Sequence, residues 1–305
     1  MELILHLGAH RTGTTALQKA LTRRRQALSA CGIAVWGPGA VREMTAGAVL
    51  GRAVTGAGDT AADHARLQAA RRVLHRLYME GERGIDRVIL SDENLIGTMP
   101  DNIREAVLYP HAGAHALALA SVLPRAPSVI YLSVRGYADY WASAYVYSAL
   151  RRRLPDFADV GPDVVAGKRG WVQVVADIRG AFPGVPIRVW IYSGTKTALG
   201  RLAADMLGPG RSGLPRILPD RRNERPGKAA FARAMDLRGT KTGVSPTAAL
   251  ESAQAEVPDD AHPYMPFRRH ARRLLRTRYA TDLAALAGGC VGDVAVLGTL
   301  PKVPA

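Results

Sequence analysis

The sequence predicts an α/β fold in which a parallel central sheet is flanked by helices on both faces. Short apolar runs of strand length alternate along the chain with longer segments of helical periodicity. Strands that alternate with helices are typical of βαβ units, in which the strands are parallel and buried. The chain has 305 residues, of which 48% are hydrophobic, so it can bury a large core.

Each element is predicted from its own pattern. Apolar runs bounded by turn residues predict five strands, at 3–7, 33–36, 87–90, 128–134 and 187–192. The run at 33–36 is the weakest of them. Apolar residues at helical spacing predict seven helices: 13–30, 61–80, 138–152, 170–182, 195–207, 228–237 and 267–286. The glycine-rich segments 37–58 and 208–227 are predicted to be loops. We predict one domain, with a core at about 1–207 and a helical C-terminal part at about 208–305.

Composition restricts the function classes only loosely. The net charge of +15 favours an anionic partner. Only six of the 41 basic residues are lysines, however, and this arginine content is equally consistent with a general compositional bias. Cys31 and Cys290 form no C-x-x-C pair, and we expect two free, buried thiols and no metal site.

The start of the chain lacks signal-peptide features, and the apolar stretch 112–123 is too short to span a bilayer. We therefore expect a cytoplasmic protein without a membrane span.

The first predicted strand runs into a short loop and a helix start. The residues are Gly8-Ala9-His10-Arg11-Thr12-Gly13-Thr14-Thr15. Backbone N–H groups at a helix N-terminus bind phosphate, and glycine lets the backbone approach an anion closely. The spacing is that of the phosphate-binding P-loop, G-x-x-x-x-G-K-[ST], but Thr14 replaces the lysine that reaches the outer phosphates of a nucleoside triphosphate. Hydrolysis of ATP or GTP is therefore not expected, and Arg11 supplies a cation instead.

A second phosphate-binding pattern follows the strand at 128–134. Arg135 lies at the end of that strand, and Ser143 lies eight residues later, in the first turns of the next predicted helix. An arginine and a serine placed in this way can bind one phosphate between them. Asp139 is expected to order the start of the helix rather than to contact the ligand.

These two patterns resemble those of the sulfotransferases that use 3′-phosphoadenosine 5′-phosphosulfate (PAPS). The family's 5′-phosphosulfate loop reads roughly [KR]-[ST]-G-T-T, and its 3′-phosphate site reads roughly R-x-x-x-D-x-x-x-S. The resemblance extends over about residues 1–152, and the strand and helix after residue 187 are similar to those of bacterial members. Tyr137 departs from the proline that the family often has at that position.

The resemblance implies a three-layer sandwich similar to that of P-loop NTPases, with a nucleotide-binding core. It implies in-line transfer of a sulfuryl group from PAPS to a hydroxyl or amine, without a metal. The nucleotide-binding residues would be Arg11, Thr12, Gly13, Thr14, Thr15, Arg135 and Ser143. Arg11 would also assist catalysis, by neutralising the leaving group.

The candidate general base is Glu93, which follows the strand at 87–90 on the ligand-binding edge of the sheet. The alternative is that Glu93 belongs to a helix-capping cluster with Ser91 and Asp92. His10, inside the phosphate loop, is the next candidate for the base, and it could also contact the sulfate or only shape the loop. His6 is expected to be a packed core histidine, and nothing in the sequence supports a role for His111 or His115.

Two other function classes remain open at this level. One is a P-loop small-molecule kinase, which the missing lysine disfavours. The other is a non-enzymatic basic protein that binds a nucleotide or nucleic acid, but the aromatic content of 6% gives little support to a nucleic-acid surface. We expect a small-molecule or glycan acceptor, and the oligomeric state is open.

The remaining arginine clusters are more typical of solvated helix faces than of binding patches. The best exception is the stretch from Arg268 to Arg278, which could bind an acidic acceptor. Arg221, Arg222 and Arg225 could close over the nucleotide.

Overall fold

The fold is a single six-stranded parallel sheet flanked by helices, as the sequence predicts. The computed structural model describes residues 1–45, 48–49, 60–208, 210, 213–217, 225–240, 243–257 and 262–301. The strands are β1 Glu2–His6, β2 Ile33–Trp36, β3 Arg87–Ser91, β4 Val129–Val134, β5 Ile187–Ile191 and β6 Val294–Leu297. Their order across the sheet is β2-β3-β1-β4-β5-β6.

The helices lie between the strands and after them. In chain order they are α1 Thr14–Arg23, α2 Arg25–Ala30, α3 Pro38–Thr45, α4 Thr60–Glu82, α5 Met99–Glu105, α6 Ala112–Val122, α7 Tyr137–Ala149, α8 Phe157–Ala166, α9 Trp171–Ala181, α10 Lys196–Leu207, α11 Lys228–Thr240, α12 Pro246–Glu256 and α13 Arg269–Ala287. A 3₁₀ helix, Glu93–Ile96, follows β3.

The central strand β1 is buried on both faces of the sheet. Leu3 and Leu5 belong to the large apolar cluster on one face, whereas Ile4 belongs to the cluster on the other face. The second cluster includes Leu17 of α1 and Leu202 of α10. Because successive side chains of a strand point to opposite faces, the consecutive apolar residues Leu3, Ile4 and Leu5 need helices on both sides of the sheet.

The carboxyl ends of the central strands meet at one edge of the sheet. His6 at the end of β1 pairs in register with Ser91 of β3 and with Tyr131 of β4. The segments that follow these strands therefore emerge side by side, which is where open α/β sheets bind ligands.

Several boundaries differ from the predictions. The helix predicted at 13–30 is interrupted at Arg24, where the backbone leaves helical geometry with φ −102° and ψ 11°. The loop predicted at 37–58 begins with α3, whose Pro38 suits a first helical turn, and residues 46–47 and 50–59 lie outside the described residues. The C-terminal part is not wholly helical, because β6 pairs with β5.

The two cysteines are free, as expected, but the expectation that they are buried is wrong. Cys290 is exposed in the turn after α13, and Cys31 is partly exposed at the end of α2. Among the described residues, no helix is long and apolar enough to cross a bilayer.

Candidate functional site

The loop between β1 and α1 ends in a helix N-terminus with open backbone donors. Gly13 is the N-cap residue, with φ 82°, and no side chain caps the helix. The N–H of Leu17 makes an intrahelical bond, to the carbonyl of Gly13 at 3.0 Å. The N–H groups of the first turn, at Thr14, Thr15 and Ala16, therefore have no intrahelical acceptor, and they lie at a cavity. This arrangement suits an anion.

The hydroxyls of the loop threonines have different surroundings. Thr12 Oγ1 donates to the carbonyl of Ala9 at 2.6 Å, and Thr14 Oγ1 donates to the same carbonyl at 3.0 Å. Both side chains are buried, whereas Thr15 is exposed at the cavity. The hydroxyls of Thr12 and Thr14 thus stabilise the shape of the loop. Thr14 lines the cavity and can offer a ligand its N–H group, whereas Thr12 does not line it.

Gly8 brings the loop against the segment after β3. Its φ of +90° is a conformation that side chains other than glycine rarely adopt, and a Cβ atom there would lie 2.7 Å from Cβ and 3.2 Å from Cα of Glu93. The close approach places the loop and Glu93 on adjoining walls of the same cavity.

We predict that Gly8→Ala lowers the free energy of unfolding by about 2–5 kcal/mol, from about 1–2 for the left-handed backbone and about 1–3 for the overlap with Glu93. Gly184→Ala is the matched control, because Gly184 has φ +74° but no neighbour within 4 Å of an added Cβ. It should cost only the backbone part, about 1–2 kcal/mol. Denaturant unfolding of both variants measures the difference, and equal losses would mean that the Glu93 segment moves aside freely.

Two arginines from different segments meet at the loop. Arg11 Nε donates to Ser143 Oγ at 2.8 Å, and Arg135 Nη1 donates to the carbonyl of Arg11 at 2.8 Å. The structure therefore brings together three predicted phosphate-binding residues. The sequence pairs Ser143 with Arg135, but in the structure the hydroxyl of Ser143 accepts a hydrogen bond from Arg11. Burial lowers the pKa of Arg11 to about 10, and the charge of Arg135 contributes. Burial also lowers the pKa of Arg135. A bound anion would offset both effects.

Two tyrosines that the sequence analysis missed line the same cavity. The guanidinium of Arg11 lies 5.0 Å from the ring centre of Tyr147, and that of Arg135 lies 5.4 Å from the ring centre of Tyr192. These contacts orient the cations by cation–π attraction. Tyr147 lies one helical turn after Ser143, and this spacing could have identified it. Tyr192 follows the end of β5, whereas the sequence placed it within the strand.

Glu93 faces the cavity and does not cap the 3₁₀ helix. The cap is Asp92, whose Oδ1 accepts from the N–H of Asn94 at 3.0 Å. Asp92 is wholly buried and also makes a two-bond ion pair with Arg42, at 2.8 and 2.9 Å. Glu93 Oε2 accepts from Gln18 Nε2 at 3.0 Å. Of the three residues in the predicted capping cluster, Asp92 therefore provides the cap, and Glu93 lines the cavity.

Both ring nitrogens of His10 have hydrogen-bond partners. The N–H of His10 donates to Tyr109 Oη at 2.9 Å, and that hydroxyl lies 2.8 Å from Nδ1 of the same histidine. Nε2 lies 3.0 Å from Asn94 Oδ1. A neutral ring that accepts at Nδ1 and donates from Nε2 satisfies every partner. Burial lowers the pKa of His10, which favours this neutral form. His10 therefore suits a positioning role better than proton acceptance.

The other histidines are placed as follows. His6 is wholly buried, as expected of a core residue, and burial lowers its pKa to about 4, while Nδ1 lies 2.8 Å from Ser91 Oγ. His111 pairs with Glu105 at the surface at 2.9 Å, and His115 is buried nearby. Neither His111 nor His115 lines the loop cavity.

Three cavities adjoin at this edge of the sheet. The loop cavity, of about 90 Å³, is bounded by the loop between β1 and α1, Glu93 and Arg135. The wide cavity, of about 740 Å³, shares Glu93 and four further residues with it: His10, Thr15, Met99 and Tyr147. The α7 cavity, of about 670 Å³, begins at Gly136, next to Arg135.

The α7 cavity contains basic residues from the C-terminal part. Arg225, Arg272 and Arg276 line it together with Tyr279. Among the described residues, Arg225 Nε and Tyr279 Oη are buried without a hydrogen-bond partner. Asp139, in the first turn of α7, pairs with Arg225 at 3.2 Å. Arg221 and Arg222 lie outside the described residues.

No protein-family model, curated protein or solved structure matches this chain. Within the described ranges, no three His, Cys, Asp or Glu side chains are grouped as metal ligands would be.

Proposed function

We propose that this protein is a sulfotransferase that moves a sulfuryl group from PAPS to a hydroxyl or amine of an acceptor. The observation that supports this most strongly is the convergence of an uncapped helix N-terminus with Arg11 and Arg135 at one cavity, next to a carboxylate, Glu93. N–H donors and planar guanidinium groups are the partners that phosphate and sulfate oxygens prefer.

The neighbouring cavities fit the two ends of the donor nucleotide. The loop cavity offers N–H groups and Arg11 to the phosphosulfate end. The α7 cavity begins directly after Arg135 and contains Arg225, Arg272 and Arg276, which suit a 3′-phosphate. The unpartnered Arg225 Nε and Tyr279 Oη are buried polar atoms of the kind that a ligand satisfies.

In the proposed reaction, Glu93 accepts the proton of the acceptor hydroxyl as its oxygen bonds to sulfur. The bond between sulfur and the bridging phosphate oxygen breaks, and that oxygen keeps the electron pair. Arg11 and the N–H groups of the first turn of α1 stabilise the negative charge that develops on the leaving phosphate. Glu93 lines the loop cavity, so an acceptor hydroxyl that reaches Glu93 would lie close to a sulfuryl group bound at the loop, as in-line transfer needs.

A kinase that uses a nucleoside triphosphate is less well supported by this site. Thr14 occupies the position of the P-loop lysine, and its hydroxyl is bonded to the carbonyl of Ala9. The nearby cations are instead two arginines, on the loop and at the end of β4.

We predict that the protein binds adenosine 3′,5′-bisphosphate, the product of PAPS, more tightly than AMP or ATP. The 3′-phosphate adds charge-assisted hydrogen bonds that AMP cannot make, and one such contact is worth roughly tenfold or more in affinity. Calorimetry with the three nucleotides measures this preference. Equal affinity for AMP and the bisphosphate would reject the assignment of Arg135 and the α7 cavity to the 3′-phosphate.

A further inference from the structure

The wide cavity is the space from which an acceptor can reach Glu93. Glu93 and Tyr147 line both this cavity and the loop cavity, so they lie at the boundary between the two. If the donor occupies the loop cavity, an acceptor that presents its hydroxyl to Glu93 must extend into the wide cavity. The chemistry of that cavity's lining therefore bears on the class of acceptor.

Four arginines line the wide cavity: Arg42, Arg104, Arg151 and Arg152. Arg42 is paired with the buried Asp92, and Arg104 lies 3.2 Å from Asp101. Among the described residues, by contrast, no carboxylate lies within ion-pair distance of Arg151 or Arg152, both of which are exposed. These two side chains are the cations that a ligand in the cavity could engage without breaking an existing ion pair.

Arg151 is held in place by the wall of the cavity. Its guanidinium lies 3.7 Å from the ring centre of Tyr147, and its Nη1 donates to the carbonyl of Tyr147 at 3.0 Å. Arg11 is a second cation near that ring, at 5.0 Å from its centre. The charge of Arg151 contributes to lowering the pKa of Arg11, so the two cations repel each other. An anion bound at Arg151 would reduce this repulsion.

The two acidic side chains that line the cavity already have partners. Glu93 accepts from Gln18, and Asp101 accepts from the hydroxyl of Thr98 at 2.5 Å as well as from Arg104. Among the described residues, neither Glu93 nor Asp101 pairs with Arg151 or Arg152.

We propose that the acceptor is a small molecule with an acidic group, a carboxylate, sulfate or phosphate, which Arg151 and Arg152 bind while its hydroxyl faces Glu93. This assignment rests on the proposed function, because it takes Glu93 as the point of transfer. It selects acidic acceptors over neutral phenols, sterols and sugars. It also assigns acceptor binding to the residues after α7, rather than to the basic stretch of α13.

The test compares two probes that differ only at C6 of the sugar, which is a carboxylate in phenyl β-D-glucuronide and a hydroxymethyl group in phenyl β-D-glucoside. Their affinities are measured by calorimetry, with and without adenosine 3′,5′-bisphosphate. The glucuronide should bind about tenfold more tightly, because only its carboxylate makes charge-assisted bonds to the arginines. The double variant Arg151→Ala/Arg152→Ala should bind both probes equally. Arg151→Lys/Arg152→Lys should keep part of the preference, because it keeps the charge.

Arg153→Ala is the matched control, since Arg153 is the exposed neighbour in the same run but does not line the wide cavity. It should retain the full preference for the glucuronide. The proposal is overturned if the wild-type protein shows no preference, whether it binds both probes or neither, or if Arg153→Ala removes the preference as completely as the double variant. If the protein keeps its preference for the glucuronide but does not bind adenosine 3′,5′-bisphosphate, the proposed function alone would be overturned.

Discussion

Glu93→Gln should lower turnover by roughly 10²- to 10⁴-fold, the usual contribution of a general base. The glutamine is nearly isosteric, and its amide oxygen can still accept the hydrogen bond that Gln18 Nε2 donates to Glu93 at 3.0 Å. What it loses is the ability to accept a proton from the acceptor. The affinity for adenosine 3′,5′-bisphosphate should therefore change little, and calorimetry beside steady-state kinetics separates the two effects.

Glu105→Gln is a control for removal of a carboxylate elsewhere, because Glu105 is a surface residue paired with His111 outside the loop and wide cavities. Its turnover should match that of the wild type. Near-normal turnover in a folded Glu93→Gln variant would show that another group accepts the proton. His10→Gln would then be the variant to measure, although the partners of both His10 ring nitrogens favour a positioning role.

Arg11→Ala should lower turnover by roughly 10²- to 10³-fold, the loss seen when a group that stabilises developing charge is removed. Arg11 lies in the loop between β1 and α1 and is oriented by Ser143 and the Tyr147 ring. In the proposed reaction its charge matters most when the leaving phosphate gains charge, so binding should weaken less than turnover falls. Arg11→Lys should recover part of the loss, because it restores the charge without the bond to Ser143.

Arg135→Ala provides the contrast to Arg11→Ala. Under the proposed function it removes a contact that the nucleotide makes both before and during transfer, so it should mainly weaken nucleotide binding. Arg135 also donates to the carbonyl of Arg11, and the two substitutions are therefore expected to be non-additive. If both variants lost the same affinity and kept full turnover, the proposed division of roles between Arg11 and Arg135 would be rejected.

The central part of the fold could be predicted because each of its strands contains a run of buried apolar residues. β1 and β3 are buried on both faces, and such runs bounded by turn residues are distinctive. The edge strand β6 was missed, because it has only four residues and all are partly exposed or exposed. Helix α6 was missed because its apolar and small residues surround the whole helix and leave no stripe. Nothing in the sequence marks the break at Arg24, because the segment around it contains neither glycine nor proline.

The site could be predicted only as far as local patterns reach. The spacing around Gly13 predicts an anion-binding helix start, and the structure has an uncapped helix N-terminus there. By contrast, the bond between Arg11 and Ser143 joins residues 132 positions apart, and no local pattern encodes it. The same holds for Gln18 and Tyr192, which reach the site from α1 and from the end of β5. Those placements depend on strand order.

The most direct test of the account is transfer of label from PAPS. Cell extracts are incubated with the protein and PAPS labelled in the sulfuryl group, and with ATP labelled at the γ-phosphate in a parallel reaction, and products are identified by mass spectrometry. The account predicts a product that gains the mass of one sulfuryl group, formed by the wild-type protein and greatly reduced with Glu93→Gln. Label transferred from ATP, with none transferred from PAPS, would contradict it.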